Sequence, residues 1–285
     1  MIKPWQQDTA FLDDIQRARS DPDRLHVWWL GQSGFLLQWQ GRHLLLDPYL
    51  SDSLTRKYAH TDKPHVRMTE RVIAPERLDF VEVVTSSHQH TDHLDPETLG
   101  PLFAANPQLK LVIPEANRAF VAERLGIAAP APIGLDAGQS VHLSGFTLHA
   151  VPAAHNELER DEAGRHRFLG YVIQAGPLAV YHSGDTRRYA GMEQWLRRWR
   201  LDLALLPING DRPERRVAGN LDGPEAARLA RDVGAALVVP CHYEMFEFNT
   251  ASPEGFVRAA KQLGQSHRVL RAGEQLSLAG DDGKS

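Results

Sequence analysis

Three imidazoles and a carboxylate lie within six residues, His88-Gln89-His90-Thr91-Asp92-His93, directly after a β-branched run containing Val81, Val83 and Val84. Few structural needs ask for such a density of metal-competent donors, so this run restricts the chain to folds that present a strand end to a metal ion. On extended backbone His88 and His90, two residues apart, point to the same side and can share one ion. Asp92 and His93 then turn past it and can serve a second, the divided ligand set of a two-metal site. The alternative is an ordinary solvated polar loop.

Three later segments have the same layout, an apolar strand ending in a metal-competent side chain. The strand from Thr147 runs to Ala153-Ala154-His155, that from Leu178 to His182-Ser183-Gly184-Asp185, and that from Ala236 to Cys241-His242. Ligands gather at the carboxyl ends of strands in open α/β sheets, so four such ends are expected to converge on one crevice.

Around these landmarks strands and helices alternate. Short apolar runs at 26–30, 35–39 and 44–46, separated by Gly31, Gly34 and Gly41, read as consecutive strands. Segment 51–70 carries Arg56, Lys57, His60, His65 and Arg67 without periodicity and is expected to be a long, functional loop. Asp95-Pro96-Glu97 opens a helix, with Asp at the cap and Pro in the first turn. A strand at 109–113 and a helix at 114–125 follow. Further strands are expected at 147–152, 169–174, 178–182, 202–207 and 236–240, with helices at 192–200, 224–233 and 253–263. Two sheets covered by helices accommodate this pattern. With no repeat, low-complexity tract or linker, residues 1–285 read as one domain, and the tail 280–285 is expected to fray.

Composition narrows the function classes. The 285 residues are 42% hydrophobic and 24% charged, ordinary for a folded protein. A formal net charge of -4 lacks the basic footprint of a protein that binds long nucleic acids. One cysteine, Cys241, excludes an internal disulfide and fits a reducing compartment. The N-terminus lacks the continuous apolar core of a signal peptide, and no stretch approaches a membrane span, so a cytoplasmic protein without membrane partners is expected. A small-molecule substrate is the expected partner, and a homo-oligomer is compatible with the sequence.

Taken in order, Leu44-Leu45-Leu46-Asp47-Pro48, the His88 to His93 run, His155, Ser183-Gly184-Asp185 and His242 resemble the metallo-β-lactamase superfamily over nearly the whole chain. Within it, Trp28-Trp29-Leu30-Gly31, His90-Thr91-Asp92-His93-Leu94-Asp95, Tyr181-His182-Ser183-Gly184-Asp185 and Pro240-Cys241-His242-Tyr243 are similar to the ascorbate-6-phosphate lactonase branch. The resemblance implies an αββα sandwich of two mixed sheets packed face to face with helices outside. It also implies His88, His90 and His155 on a first metal, Asp92, His93 and His242 on a second, and Asp185 bridging them. Asp47 would position ligands from behind. A metal-activated water would be the nucleophile, with Asp92 orienting it or passing a proton to the leaving group. Zinc suits this donor set, and manganese or iron also tolerates it. His90 argues against the oxygen-reducing diiron relatives, which usually carry Glu at that position.

The function expected from these features is hydrolysis of a lactone or sugar-phosphate lactone of a small polar metabolite. A phosphodiesterase acting on a nucleotide or RNA and a non-catalytic metal-dependent sensor are the alternatives. Several residues are more open. Cys241 adjoins His242 on a strand and so points to the other face, as a buried inert thiol would. His182 either supports the metals from behind or is a satisfied core histidine. Arg187 and Arg188 follow Asp185, and one can reach a substrate anion or both are solvated. Tyr243, Phe246 and Asn249 follow His242 onto the same rim and are candidate pocket walls. The charged segment 157–167 reads as a hairpin tip, and Trp195 with Trp199 as core or interface packing.

Overall fold

The computed structural model describes residues 1–280, so the expectation for the tail lies almost wholly outside it. An N-terminal helix α1 (Asp8–Ala18) precedes three antiparallel strands, β1 (Arg24–Gly31), β2 (Gly34–Trp39) and β3 (Arg42–Leu46). Phe11, Ile15 and Ala18 recur at helical spacing and are buried, and Phe11 meets Trp28 of β1 edge-on while the Trp28 indole N–H donates to Asp14. The chain continues through α2 (Ser53–Tyr58), β4 (Val83–Thr85), α3 (Pro96–Ala105), β5 (Lys110–Pro114), α4 (Arg118–Leu125) and β6 (Ile133–Leu135). Strands β4, β5 and β6 continue the sheet in parallel register from β3.

A second sheet begins with β7 (Ser140–Leu143), β8 (Phe146–Pro152), β9 (Leu169–Ala175) and β10 (Leu178–His182), each antiparallel to the one before it. Helix α5 (Met192–Leu196), β11 (Leu203–Pro207), α6 (Gly223–Asp232), β12 (Leu237–Cys241) and α7 (Glu254–Leu263) follow, and β13 (Gln275–Ala279) returns to pair with β1. The two sheets run β13-β1-β2-β3-β4-β5-β6 and β12-β11-β10-β9-β8-β7. One continuous apolar core spans both, including Leu36 and Val84 from the first and Leu148, Val180 and Val239 from the second.

Strand direction determines where the candidate ligands lie. Strands β3 and β4 are parallel, which brings Asp47 and His88, each just past a strand end, to one edge of the first sheet. In the second sheet β10, β11 and β12 are parallel, while β8 and β10 both run antiparallel to β9 and therefore share a direction. His155, Asp185 and His242 consequently emerge on one edge of that sheet as well.

Helix starts follow their sequence signals. The Asp95 carboxylate accepts from the Glu97 amide and the Thr98 hydroxyl at the head of α3, and Asp222 with Glu225 closes a reciprocal capping box on α6. Three expectations are corrected. Segment 51–70 is not all loop, because Ser53 to Tyr58 form α2, whose Leu54 is buried against Tyr49, Met245 and Phe246. The helix expected at 192–200 ends at Leu196, leaving Trp199 in a turn, with the Arg198 guanidinium over both tryptophan rings. The helix expected from 114 begins at Arg118, after a single 3-10 turn at Glu115–Asn117. Segment 157–167 is a hairpin tip closed by the bridge Arg160 to His166. Among the described residues no helix is long and apolar enough to cross a membrane.

Candidate metal centre

The ligand run is held from three sides. Behind it, β4 is buried; ahead of it, Leu94 is buried and Asp95 caps α3; beside it, Arg124 of α4 donates to the Gln89 carbonyl and, at 2.8 Å, to the Thr91 hydroxyl. Within the run the His93 and Leu94 amides both donate to the His90 carbonyl, at 3.1 and 2.8 Å, and this tight turn brings His93 back towards His88.

Two groups of donors result, His88 with His90 and His155, and Asp92 with His93, Asp185 and His242; the donor atoms of each lie within 4.8 Å of one another. In the first group the imidazole centroids are 4.6 to 5.4 Å apart, and Phe168 packs against His88 at 5.1 Å. His88 Nδ1 lies 3.0 Å from the Ser87 hydroxyl, and His155 Nδ1 lies 2.9 Å from both the Gly219 carbonyl and the Asn220 side-chain oxygen. Those contacts leave the Nε2 atoms to face inward.

In the second group His93 Nδ1 lies 2.7 Å from Asp47 Oδ2, and Asp47 also accepts from the Ser87 amide at 3.0 Å and the Thr85 hydroxyl at 2.8 Å. Asp47, fully buried, is thus the support behind His93. Asp185 touches both groups, with oxygens 3.3 Å from His93 Nε2, 3.3 Å from His242 Nε2 and 3.6 Å from His155 Nε2.

These residues fit divalent metal ions on two counts. Among the described residues, buried His88 Nε2 and His93 Nε2 have no hydrogen-bond partner, a costly condition unless an ion takes the lone pair. The 3.3 to 3.7 Å between facing imidazole nitrogens and carboxylate oxygens is long for a hydrogen bond. It matches the roughly 3.4 Å separating two donors that each sit about 2.1 Å from one tetrahedral ion.

The electrostatics of the two groups differ. Burial and the neighbouring His93 and His90 rings hold His88 well below its ordinary pKa. Burial lowers His155 as well, and desolvation with the His155 ring lowers His90. In the second group burial opposes charge but is overcome. Asp185 and Asp92 raise His93 well above its usual value, and Asp185 with Asp92 raises His242 to about 9. Burial would likewise push Asp92 and Asp185 up, yet the His93 and His242 rings hold both carboxyls well below the usual range.

His90 and His155 of the first group and Asp92, Asp185 and His242 of the second line the floor of a cavity of about 420 Å³. Asp92, with 16% of its side chain exposed, faces it, whereas Asp185 is buried. Asn249 lines the cavity, its side-chain oxygen accepting from Asn209 and Arg215 at 3.0 Å each, and Phe246 lines it too. Arg187 lies elsewhere, paired with Asp211 at 3.1 Å along a neighbouring groove. Tyr243 is buried behind the site, stacked on Trp29 at 4.4 Å with its hydroxyl donating to the Leu270 carbonyl. His182 is buried, its Nε2 2.8 Å from the Ser33 carbonyl and its ring edge-on to Phe35. Cys241 is a buried thiol whose pKa is pushed well up by burial.

Sequence reasoning passed over Gln32. Its amide nitrogen donates to Asp92 Oδ2 at 2.8 Å and lies 3.0 Å from His242 Nε2, while its carbonyl accepts from the His242 amide at 2.9 Å. Gln32 sits at φ 50° in the two-residue turn between β1 and β2, beside Gly31 at φ 93°, where a Cβ would collide with the Met245 methyl at 2.6 Å. A polar residue between two glycines was the available signal.

The model of the beta-lactamase superfamily domain family matches residues 42–243. A UPF0173 metal-dependent hydrolase from Azorhizobium caulinodans is 29% identical over 89% of this chain and 100% of its own length, and one from Saccharolobus solfataricus is 25% identical over 88% and 98%. Among solved structures, a possible metal-dependent hydrolase from Veillonella parvula superposes with a TM-score of 0.70 at 16% identity, covering 89% of this chain and 99% of that one. The metallo hydrolase Igni18 from Ignicoccus hospitalis superposes with a TM-score of 0.66 at 22% identity, covering 90% and 98%. The two-sheet architecture is the metallo-β-lactamase fold.

Proposed function

The chain belongs to the beta-lactamase superfamily domain family, and from that premise we propose that it is a metal-dependent hydrolase whose finer activity is the opening of a lactone or sugar-phosphate lactone. The observation that carries the reading is the meeting of four strand ends in two adjoining donor groups, joined by Asp185, on the floor of one cavity. His88, His90 and His155 would hold one divalent ion, and Asp92, His93 and His242 a second, with Asp185 shared. Three imidazoles favour zinc, and the carboxylates keep manganese and iron in range. When bound, such ions supply a water acidic enough to ionise near neutral pH and positive charge for a developing oxyanion.

The protein's own groups supply the rest. Asp47 fixes the His93 ring through Nδ1, and Gly219 and Asn220 fix His155. Gln32 orients Asp92 by donating to Oδ2. Asp92 is the more exposed of the two carboxylates that line the cavity and would accept a proton at an oxygen and return it to a leaving alkoxide. The buried floor limits water to the cavity side.

His88→Ala and Asp185→Ala test the reading directly, with metal content and turnover of lactones and phosphodiesters measured together. Loss of metal together with lactone opening is expected. Full lactone turnover by a metal-free variant would sink it.

A further inference from the structure

Segment 51–70 contributes to the cavity wall above the donor groups, and its charges divide by direction. Cations outside the cavity lining find carboxylates: Arg56 pairs with Glu97, the largely buried Arg67 with Asp52 at 2.6 Å, and Arg216, which meets this segment, with Asp62. Cations that line the cavity do not. Lys57, Lys63 and Arg124 line it, and among the described residues none has a carboxylate within ion-pair distance. Lys63 Nζ donates to the Arg216 carbonyl at 2.6 Å, Arg124 spends its fork on the Gln89 carbonyl and the Thr91 hydroxyl, and Lys57 lies 5.2 Å from the Tyr58 ring centre. Among the described residues the only carboxylates lining the cavity, Asp92 and Asp185, are already engaged by His93 and His242.

In a chain of net charge -4, three cations without carboxylate partners around one cavity make that cavity a local positive region. Desolvation lowers Arg124 from its ordinary value despite the attraction of Asp95 and Asp92, which marks a charge partly withdrawn from water. Tyr58, Phe120 and Phe246 add aromatic surface to the same wall.

We propose that the hydrolase's substrate carries an oxyanion, a carboxylate or a phosphate, remote from the bond that is cut, and that Lys57, Lys63 and Arg124 select for it. The proposal rests on the hydrolase reading above. It assigns specificity to three residues that are not metal donors, so the two can be separated by experiment.

The test uses the metal-loaded full chain and two matched probes, mono(4-nitrophenyl) glutarate, whose free carboxylate lies far from the scissile ester, and its neutral methyl ester. The kcat/KM ratio of anionic to neutral probe is expected to exceed about 30 in the unaltered protein. In the double variant K57Q/K63Q it should fall about tenfold, towards a ratio of a few, as charge-assisted contacts to the anion are removed. K261Q, which removes one charge on the remote α7, should leave the ratio unchanged and so separates local recognition from net charge.

A ratio near one in the unaltered protein, or a ratio the double variant does not lower, overturns the proposal while leaving hydrolysis intact. If neither ester is cut, calorimetric binding of glutarate and of phenyl phosphate to the unaltered protein and to K57Q/K63Q decides it. Weaker binding of either anion to the double variant supports the site and shows which oxyanion it prefers; equal binding to both proteins, or none, overturns it.

Discussion

The two donor groups are neighbours that share Asp185, yet one is made of imidazoles alone and the other of alternating acids and bases. In the first, burial and mutual crowding keep His88, His90 and His155 neutral, so lone pairs are ready for an ion at neutral pH. In the second, the carboxylates favour the charged form of His93 and His242, and those rings in turn favour the ionised form of Asp92 and Asp185. An ion entering there must displace protons. The difference teaches that similar residues at similar strand ends bind metal on different terms, set by whether a carboxylate faces each imidazole.

The strongest attack on this contrast is Asp185→Ala, because Asp185 oxygens approach His155 on one side and His93 and His242 on the other. Loss of metal from both groups and a fall in turnover of about 10³-fold are expected, measured by metal analysis and steady-state rates. If one full equivalent stays tightly bound, Asp185 belongs to one group alone.

Asp47→Asn separates the groups more selectively. It removes the carboxylate facing His93 Nδ1, and affinity for one of the two ions should drop roughly 10- to 100-fold while the other holds. Competition against a chromogenic chelator reads both equivalents; an equal loss from both would erase the distinction.

Acidity offers a third test. With His242 raised to about 9 and His93 raised as well, an ion must displace protons below that value, and affinity for one equivalent should fall at least tenfold per unit as pH is lowered from 9 to 7. His88 is held well below its ordinary value, so the other equivalent should barely respond over that range. Calorimetric titration at pH 7, 8 and 9 checks the sign, and two equivalents with the same slope would contradict it. The smallest effect is expected from Gln32→Ala, which removes one donor to Asp92 and should slow turnover roughly 3- to 10-fold with metal content retained.

Much of this was legible in the chain. Valine-rich and leucine-rich runs marked β4, β10 and β12, since strands buried on both faces read as continuous apolar segments, and alternation marked β8. Density of donors at their ends marked His88, His155, Asp185 and His242. Helix α2 was harder to read because only Leu54 of its six residues is fully buried, too few for an apolar stripe. Strand β7 was missed for a related reason, since as an edge strand it has no fully buried residue. Tyr243 followed a ligand and was expected on the rim, but a left-handed residue at His242, φ 61°, turns the chain so that Tyr243 stacks inward on Trp29. Arg187 was expected near substrate, and its ion pair with Asp211 holds it in another groove.

The residue types and their order along the chain determined the two-sheet fold and the chemistry at its strand ends, because periodicity and donor identity are local properties. Only the tertiary structure decided which donors meet. Parallel pairing of β3 with β4 brings Asp47 beneath His93, the turn at Gln32 reaches Asp92 and His242 across 60 and 210 residues, and α2 sets Lys57 over the cavity. Contacts between residues so far apart depend on strand direction and register, which no local run of sequence specifies.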